Sequence, residues 1–386
     1  MTTPNAAGAR PASGQIPFSL RKTHDLLADL FVPRAAIFWC DLALTTAVSY
    51  VSALAYLRAP VWSARQAIAF LIAGFAFFRL GTFIHEIAHL RKGALKGFRT
   101  AWNVVCGVPF LMPHFLYSNH IDHHQWRHYG TPQDGEYLPL AIGPARQLFY
   151  YALEILLLPM FAVLRFLVLT PLSLAFPSSR EWVLSRFSSY VSNFGYRRRL
   201  RAADPARTWL AWELACFFNL AIAATLLLSG VIPWEQAAKA YALAVFTVGL
   251  NWLRNLAGHR FLNDGRELDY FGQLNDSITV IGNPLWTELL FPLGLRYHAL
   301  HHLFPAIPYH NLGKAHCRLM ELLPADSPYH KTIYSGLWPV LVDLWRNARA
   351  HGSAEAGVMA WPDGMRRSQR AQRGAYVSGF WRRQRA

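Results

Sequence analysis

A chain of 386 residues is long enough for one large domain or two ordinary ones, and 53% of it is hydrophobic against 16% charged. Soluble domains carry about a quarter charged residues, so this balance, with its positive mean hydropathy, excludes an ordinary soluble enzyme and marks a multi-pass membrane protein. The net charge of +16 reads first as cytoplasmic-side bias and contact with anionic headgroups, and second as a docking face for an acidic partner; no nucleic-acid partner is expected.

Residues 1–35 hold Pro4, Gly8, Pro11, Gly14 and Pro17 without an apolar core, so they are not a signal peptide and are expected to form a flexible cytosolic arm. Residues 36–57 and 67–84 are apolar runs long enough to span, separated by Arg58-Ala59-Pro60. They form a first hairpin. Arg21, Lys22 and Arg34 flank its first outer end and Arg91, Lys92, Lys96 and Arg99 the other, so both ends read as cytoplasmic. Residues 103–117 are apolar but short, with Pro109 and Pro113, and are expected to be re-entrant or interfacial.

Residues 147–176 are long and apolar but carry Pro159, Arg165 and Pro171; they are expected to lie along the interface, or to dip in and return. Residues 209–232 and 237–255 form a second hairpin around Pro233. The membrane domain is placed at 36–345, and residues 346–386 form a basic tail that includes Arg366, Arg367, Arg370 and Arg373. Cys40, Cys106, Cys216 and Cys317 are scattered, which argues against a disulfide framework or a thiolate zinc site. The fold class is thus all-α and multi-pass, with about four transmembrane helices in two hairpins, interfacial helices and a cytoplasmic histidine-rich cap.

The chemistry is carried by histidine. Of 16 histidines, eight fall in three clusters: His85 and His89; His120, His123 and His124; His298, His301 and His302. The first is HxxxH and the others are both HxxHH, spacings that put each set on one helical face. One such cluster is common on a surface helix, but three are not. Neutral imidazole is the commonest metal ligand, so a metal centre is expected. Its ligands must lie on one side of the membrane. Counting 147–176 as a span would separate the third cluster from the first two, which is why that segment is expected not to cross.

HEIAH at 85–89, HIDHH at 120–124 and HALHH at 298–302, the last running on into HHLFP, resemble the three histidine boxes of the membrane fatty acid desaturase and hydroxylase superfamily. Boxes and hairpins cover roughly residues 36–310. The resemblance implies a di-iron centre that activates O2 and abstracts hydrogen from an acyl chain, with no catalytic residue required beyond the metal site. Asn255 and His259 match the NxxxH pair of membrane acyl-CoA desaturases, which adds His259 as a ninth ligand and Asn255 as a water-linked partner. His128 is expected beside the ligands rather than among them.

Making a double bond removes two electrons from the substrate, whereas reducing O2 to water takes four, so two must come from a donor. No haem-binding His-Pro-Gly-Gly, Rossmann or flavin fingerprint is present, so the donor is expected to be a separate ferredoxin or cytochrome. The expected activity is therefore acyl desaturation on a lipid, CoA or carrier protein. A di-iron hydroxylase or ketolase of lipid or carotenoid is the alternative within the superfamily. Outside it stands a membrane zinc metalloprotease, because His85-Glu86-Ile87-Ala88-His89 also fits HExxH.

Overall fold

The computed structural model describes residues 18–91, 93–141 and 147–351. Within them the chain is almost wholly helical; the only sheet among the described residues is a parallel pairing of Thr279–Val280 with Ile333–Tyr334. The helices are α1 (Leu20–Leu26), α2 (Ala35–Arg58), α3 (Ala64–His89), α4 (Phe98–Trp102), α5 (His120–His124), α6 (Gln147–Val163), α7 (Thr170–Ala175), α8 (Pro177–Phe187), α9 (Ala206–Leu228), α10 (Trp234–Leu256), α11 (Tyr270–Asp276), α12 (Pro284–Leu290), α13 (His298–Leu303), α14 (Tyr309–Leu322) and α15 (Leu337–His351).

α2 and α3 make the expected first hairpin. Pro60 cannot extend α2, and Ser63 restarts the chain by accepting a hydrogen bond from the amide of Gln66. The interior of the pair is apolar, with Phe38, Leu42, Phe77, Leu80 and Phe83 buried. A charged cluster is closed internally: Arg79 donates to Asp41 at 2.6 Å and to Glu288 at 3.2 Å, and Tyr309 donates to Asp41 at 2.9 Å. This cluster ties α2 and α3 to α12 and α14, which carry the chain around the third histidine cluster.

Among the described residues, the helices long and apolar enough to cross a membrane are α2, α3, the continuous run Gln147–Ala175 and α9. α10 carries Glu235, Lys239 and Arg254 and is less apolar, yet it packs along α3 and α6. It does not lie closely along α9, whose main neighbour is the π-helical turn Leu164–Leu169. The second hairpin is therefore splayed, with α6 packed on α10.

The run Gln147–Ala175 starts and finishes beside elements that lead to the histidines. Tyr151 stacks on Trp252 near the end of α10. Further along, the Leu156 carbonyl accepts from the Tyr241 hydroxyl, deeper on α10. By Phe166 the chain is back beside Phe115, Leu116 and Trp209. Pro159 and the π-helical turn supply the bend. Arg165, awkward in lipid, donates to Glu213 on α9, to Thr170, to Ser188 and to the Phe187 carbonyl.

The flexible arm is corrected over its described part. Residues 18–34 include α1 and the short helix Ala28–Leu30, with Leu27 and Leu30 buried against Leu312, Ala315 and Leu319 of α14. Leu27 and Leu30 form an apolar edge that the proline-rich composition hid. Residues 1–17 and 352–386, including most of the proposed basic tail, lie outside the described residues.

Candidate metal centre

The histidines reach one place by four routes. His85 and His89 occupy the last turn of α3, whose helix ends at Leu90. His120, His123 and His124 fill the one-turn helix α5, and His298, His301 and His302 fill α13. His259 follows α10 and is held by a bridge to Ser277. All nine side chains come together in two groups: His85, His89, His120, His124 and His301; and His123, His259, His298 and His302. Within each group the ligand atoms lie within 4.8 Å of one another.

The ring edges decide what the groups can hold. The Nε2 atoms of His123 and His259 are 3.1 Å apart, those of His259 and His298 3.0 Å, and those of His298 and His302 3.1 Å. In the other group His120 faces His124 at 2.9 Å and His89 faces His301 at 3.1 Å. The outer nitrogens are taken by acceptors. His120 Nδ1 is 2.8 Å from Glu136, His123 Nδ1 is 2.8 Å from Asp134, and His259 Nδ1 is 2.7 Å from the Tyr129 hydroxyl. That hydroxyl donates to Asp276 at 2.7 Å, so its oxygen accepts from His259. These three rings therefore carry their proton on Nδ1 and turn a bare Nε2 lone pair inward. Lone pairs facing one another at 3 Å repel unless a cation sits between them. Two nitrogens about 2.1 Å from one ion and at right angles to each other are about 3 Å apart. The donor set fits metal ions, and the carboxylate–histidine pairs are the outer-sphere pattern that fixes ligand tautomers.

Burial points the same way. His120, His124, His259, His298, His301 and His302 are held well below the usual imidazole range, first by desolvation and then by neighbouring rings. They are neutral, as ligands must be. For His123 burial also pulls downward, but the charge and hydrogen bond of Asp134 outweigh it, so its affinity for a proton is raised. Burial pushes the Glu136 carboxyl up to about 7. Neither ring nitrogen of His85 is hydrogen-bonded within the protein, although it is buried.

Asn255 lines a cavity of about 10 Å³, on the order of one water. His120 of one group and His123, His259 and His298 of the other share that cavity, as do Glu136 and Arg254. His128 stands apart, in neither group and with its Nδ1 3.3 Å from Asp122. The reason is local: α5 stops at His124 and Gln125 is extended, so the helical spacing from His124 to His128 is broken.

Spacing alone did not identify the outer partners. Asp134, Glu136 and Asp276 stand in polar, turn-rich stretches, and Tyr129 and Gln273 carry no motif; Gln273 Nε2 is 3.0 Å from His302 Nδ1. Acidic residues between histidine clusters were the available signal. The glutamate of HExxH does not face the rings as a general base would. Glu86 accepts from the backbone N–H of Tyr309 at 3.2 Å and is 3.9 Å from His85 Nδ1.

An apolar helical scaffold that gathers nine histidines, seven of them buried, defines the class: a membrane oxidoreductase of the histidine-cluster type. A fatty acid desaturase family model matches residues 60–333, and the chain belongs to that family. It is also similar to a ceramide hydroxylase of Caulobacter vibrioides (strain NA1000 / CB15N), with 38% identity over 332 residues that cover 85% of this chain and 93% of the relative. The protease reading is set aside, and the activity is that of a fatty acid desaturase-like oxidoreductase.

Proposed function

We propose that this chain is an O2-dependent hydroxylase of a ceramide-like membrane lipid, loaded with two iron ions held by the nine grouped histidines. The observation that carries the reading is the pair of imidazole groups with inward lone pairs, in a chain that matches a ceramide hydroxylase over 85% of its length. When bound, the iron pair supplies the oxidising power to replace an unactivated C–H bond, with one oxygen atom of O2 going to the lipid and the other to water. The net reaction is R–H + O2 + 2e⁻ + 2H⁺ → R–OH + H2O, and both electrons come from a separate ferredoxin- or cytochrome-type donor.

The protein's own part is placement. Asp134, Glu136 and the Tyr129–Asp276 pair hold three rings in the tautomer that presents Nε2. Burial keeps the rings neutral and excludes bulk water. Asn255 and the small cavity offer a place for one water between the groups. The histidine end of the bundle is assigned to the cytoplasmic side, which is the inner face of the inner membrane in a bacterium, by the lysines and arginines that flank α2 and α3.

The test is expression in a host without such an enzyme, followed by mass spectrometry of its lipids after feeding ceramide. Hydroxylation adds one oxygen to the lipid; desaturation removes two hydrogens and restores the original expectation. An unchanged lipid profile, with the iron-loaded protein present and its donor supplied, would overturn both.

A further inference from the structure

The seam between α6 and α10 carries buried polar atoms that the protein leaves without partners. Gln147, Tyr151 and Glu154 recur at helical spacing on one face of α6. They span roughly 10 Å of the helix at its usual rise. Gln147 is 0% exposed, Tyr151 2%, Glu154 7% and Trp252, opposite on α10, 5%. Neither Oε1 nor Nε2 of Gln147 is hydrogen-bonded, and the same is true of Glu154 Oε2 and Trp252 Nε1, while the Tyr151 hydroxyl lies against Ser192 and Asn255. The Tyr151 and Trp252 rings stack, which ties the α6 face to α10.

Such groups are expensive to bury unpaired, and native proteins carry few of them. Three such residues, Gln147, Glu154 and Trp252, along otherwise largely apolar stretches need an explanation that packing does not supply. Their chemistry is complementary to a specific set of groups. The carboxamide of Gln147 offers one acceptor and one donor, the pair required by a secondary amide. Glu154 accepts from a hydroxyl, Trp252 donates to one, and Tyr151 does either. The row also leads to the metal centre. Tyr151 faces Ser192 and Asn255, and Asn255 lines the cavity shared by both histidine groups.

We propose that Gln147, Tyr151, Glu154 and Trp252 form the recognition site for the polar end of the substrate, an amide- and hydroxyl-bearing lipid, and so direct oxidation to carbons close to that end. This rests on the lipid-hydroxylase reading above. The lipid enters by parting α6 from α10, which the bend at Pro159 and the π-helical turn leave free to shift. A chain bound by its polar end beside Asn255 brings its first few carbons, not its middle, to the histidines.

The experiment uses full-length, iron-loaded protein in nanodiscs, with Gln147→Leu, Glu154→Leu and Tyr151→Phe as variants. Under nitrogen, binding of C16 ceramide and of palmitic acid is measured separately. The expected result is at least a tenfold loss of ceramide binding in Gln147→Leu and Glu154→Leu, with palmitate binding and iron content unchanged. Melting temperature is the second readout. Groups without partners in the resting protein lose nothing on replacement, so both variants should melt as high as the parent or higher. Unaltered ceramide binding, or melting several degrees lower, would overturn the proposal.

Turnover in air with reduced donor then separates the two readings. Row-dependent binding without an oxygenated product would keep this site and remove the hydroxylase reading. An oxygenated product formed equally by parent and variants would keep the reading and remove the site. A product modified at mid-chain would also remove it.

Discussion

His123 and His259 face each other at 3.1 Å with their outer nitrogens engaged by Asp134 and Tyr129. At this scale the outer acceptors decide which nitrogen is free, so they should matter almost as much as the rings. Asp134→Asn keeps the size of the side chain but removes the charge that orients His123. It should weaken iron retention by about 10- to 100-fold, as such outer-sphere changes do, and equilibrium dialysis against a chelator measures this. His302→Ala removes a ring from the group of four and should abolish turnover, with a loss beyond about a hundredfold; near-normal turnover would remove His302 from the metal site. Eight of the nine histidines were legible because i, i+3 and i+4 spacing is a property of the local chain, and His259 was legible only through resemblance. His128 shared that spacing yet left the groups, since α5 ends at its last ligand, His124.

At the scale of elements, the segment Gln147–Ala175 shows why hydropathy and topology part company. Its composition qualifies it as a span, but Arg165 must find Glu213 and Arg180 must find it too. Glu213 is fully buried between the two guanidinium groups, joining α8 and α9 to the π-helical turn. Removing one member of a buried ion network leaves uncompensated charge, which costs about 3–5 kcal/mol. Glu213→Ala should therefore lower the melting temperature by many degrees, and a variant that melts like the parent would show the network to be dispensable. α1 makes a smaller test of the same kind. Leu27→Ala should destabilise by about 2–5 kcal/mol, because Leu27 is a core residue of the α14 layer and not part of a free arm.

For the whole molecule, proton and metal compete for the same nitrogens. Six rings have their proton affinity lowered from the ordinary value of 6.5, mainly by burial. They are neutral in the fold and become charged more easily in the unfolded chain. Their contribution to stability is thus complete above pH 6.5 and is lost as the pH falls below it, by up to about 1.4 kcal/mol per pH unit for each ring. His123 works in the opposite sense, since its raised affinity for a proton stabilises the fold at low pH. One ring cannot offset six. Chelated protein should melt progressively lower from pH 7 to pH 5, and a melting temperature that held or rose over that range would contradict the assignment. Metal analysis of the purified protein should give about two irons per chain; one zinc would return the protease reading.

Composition and spacing by themselves determined the membrane class, the first hairpin, the three histidine clusters and, through resemblance, His259 and Asn255. These follow from near neighbours along the chain and from the apolar length a bilayer demands. Only the tertiary structure decided how the nine rings divide into five and four, which carboxylates and tyrosine orient them, and that residues 18–34 pack onto α14. It also decided that α9 and α10 splay, so that α6 lies on α10 with its polar row turned into the seam. Each of these depends on contacts between residues far apart in sequence, where the choice of partner is set by packing and charge closure and not by local periodicity.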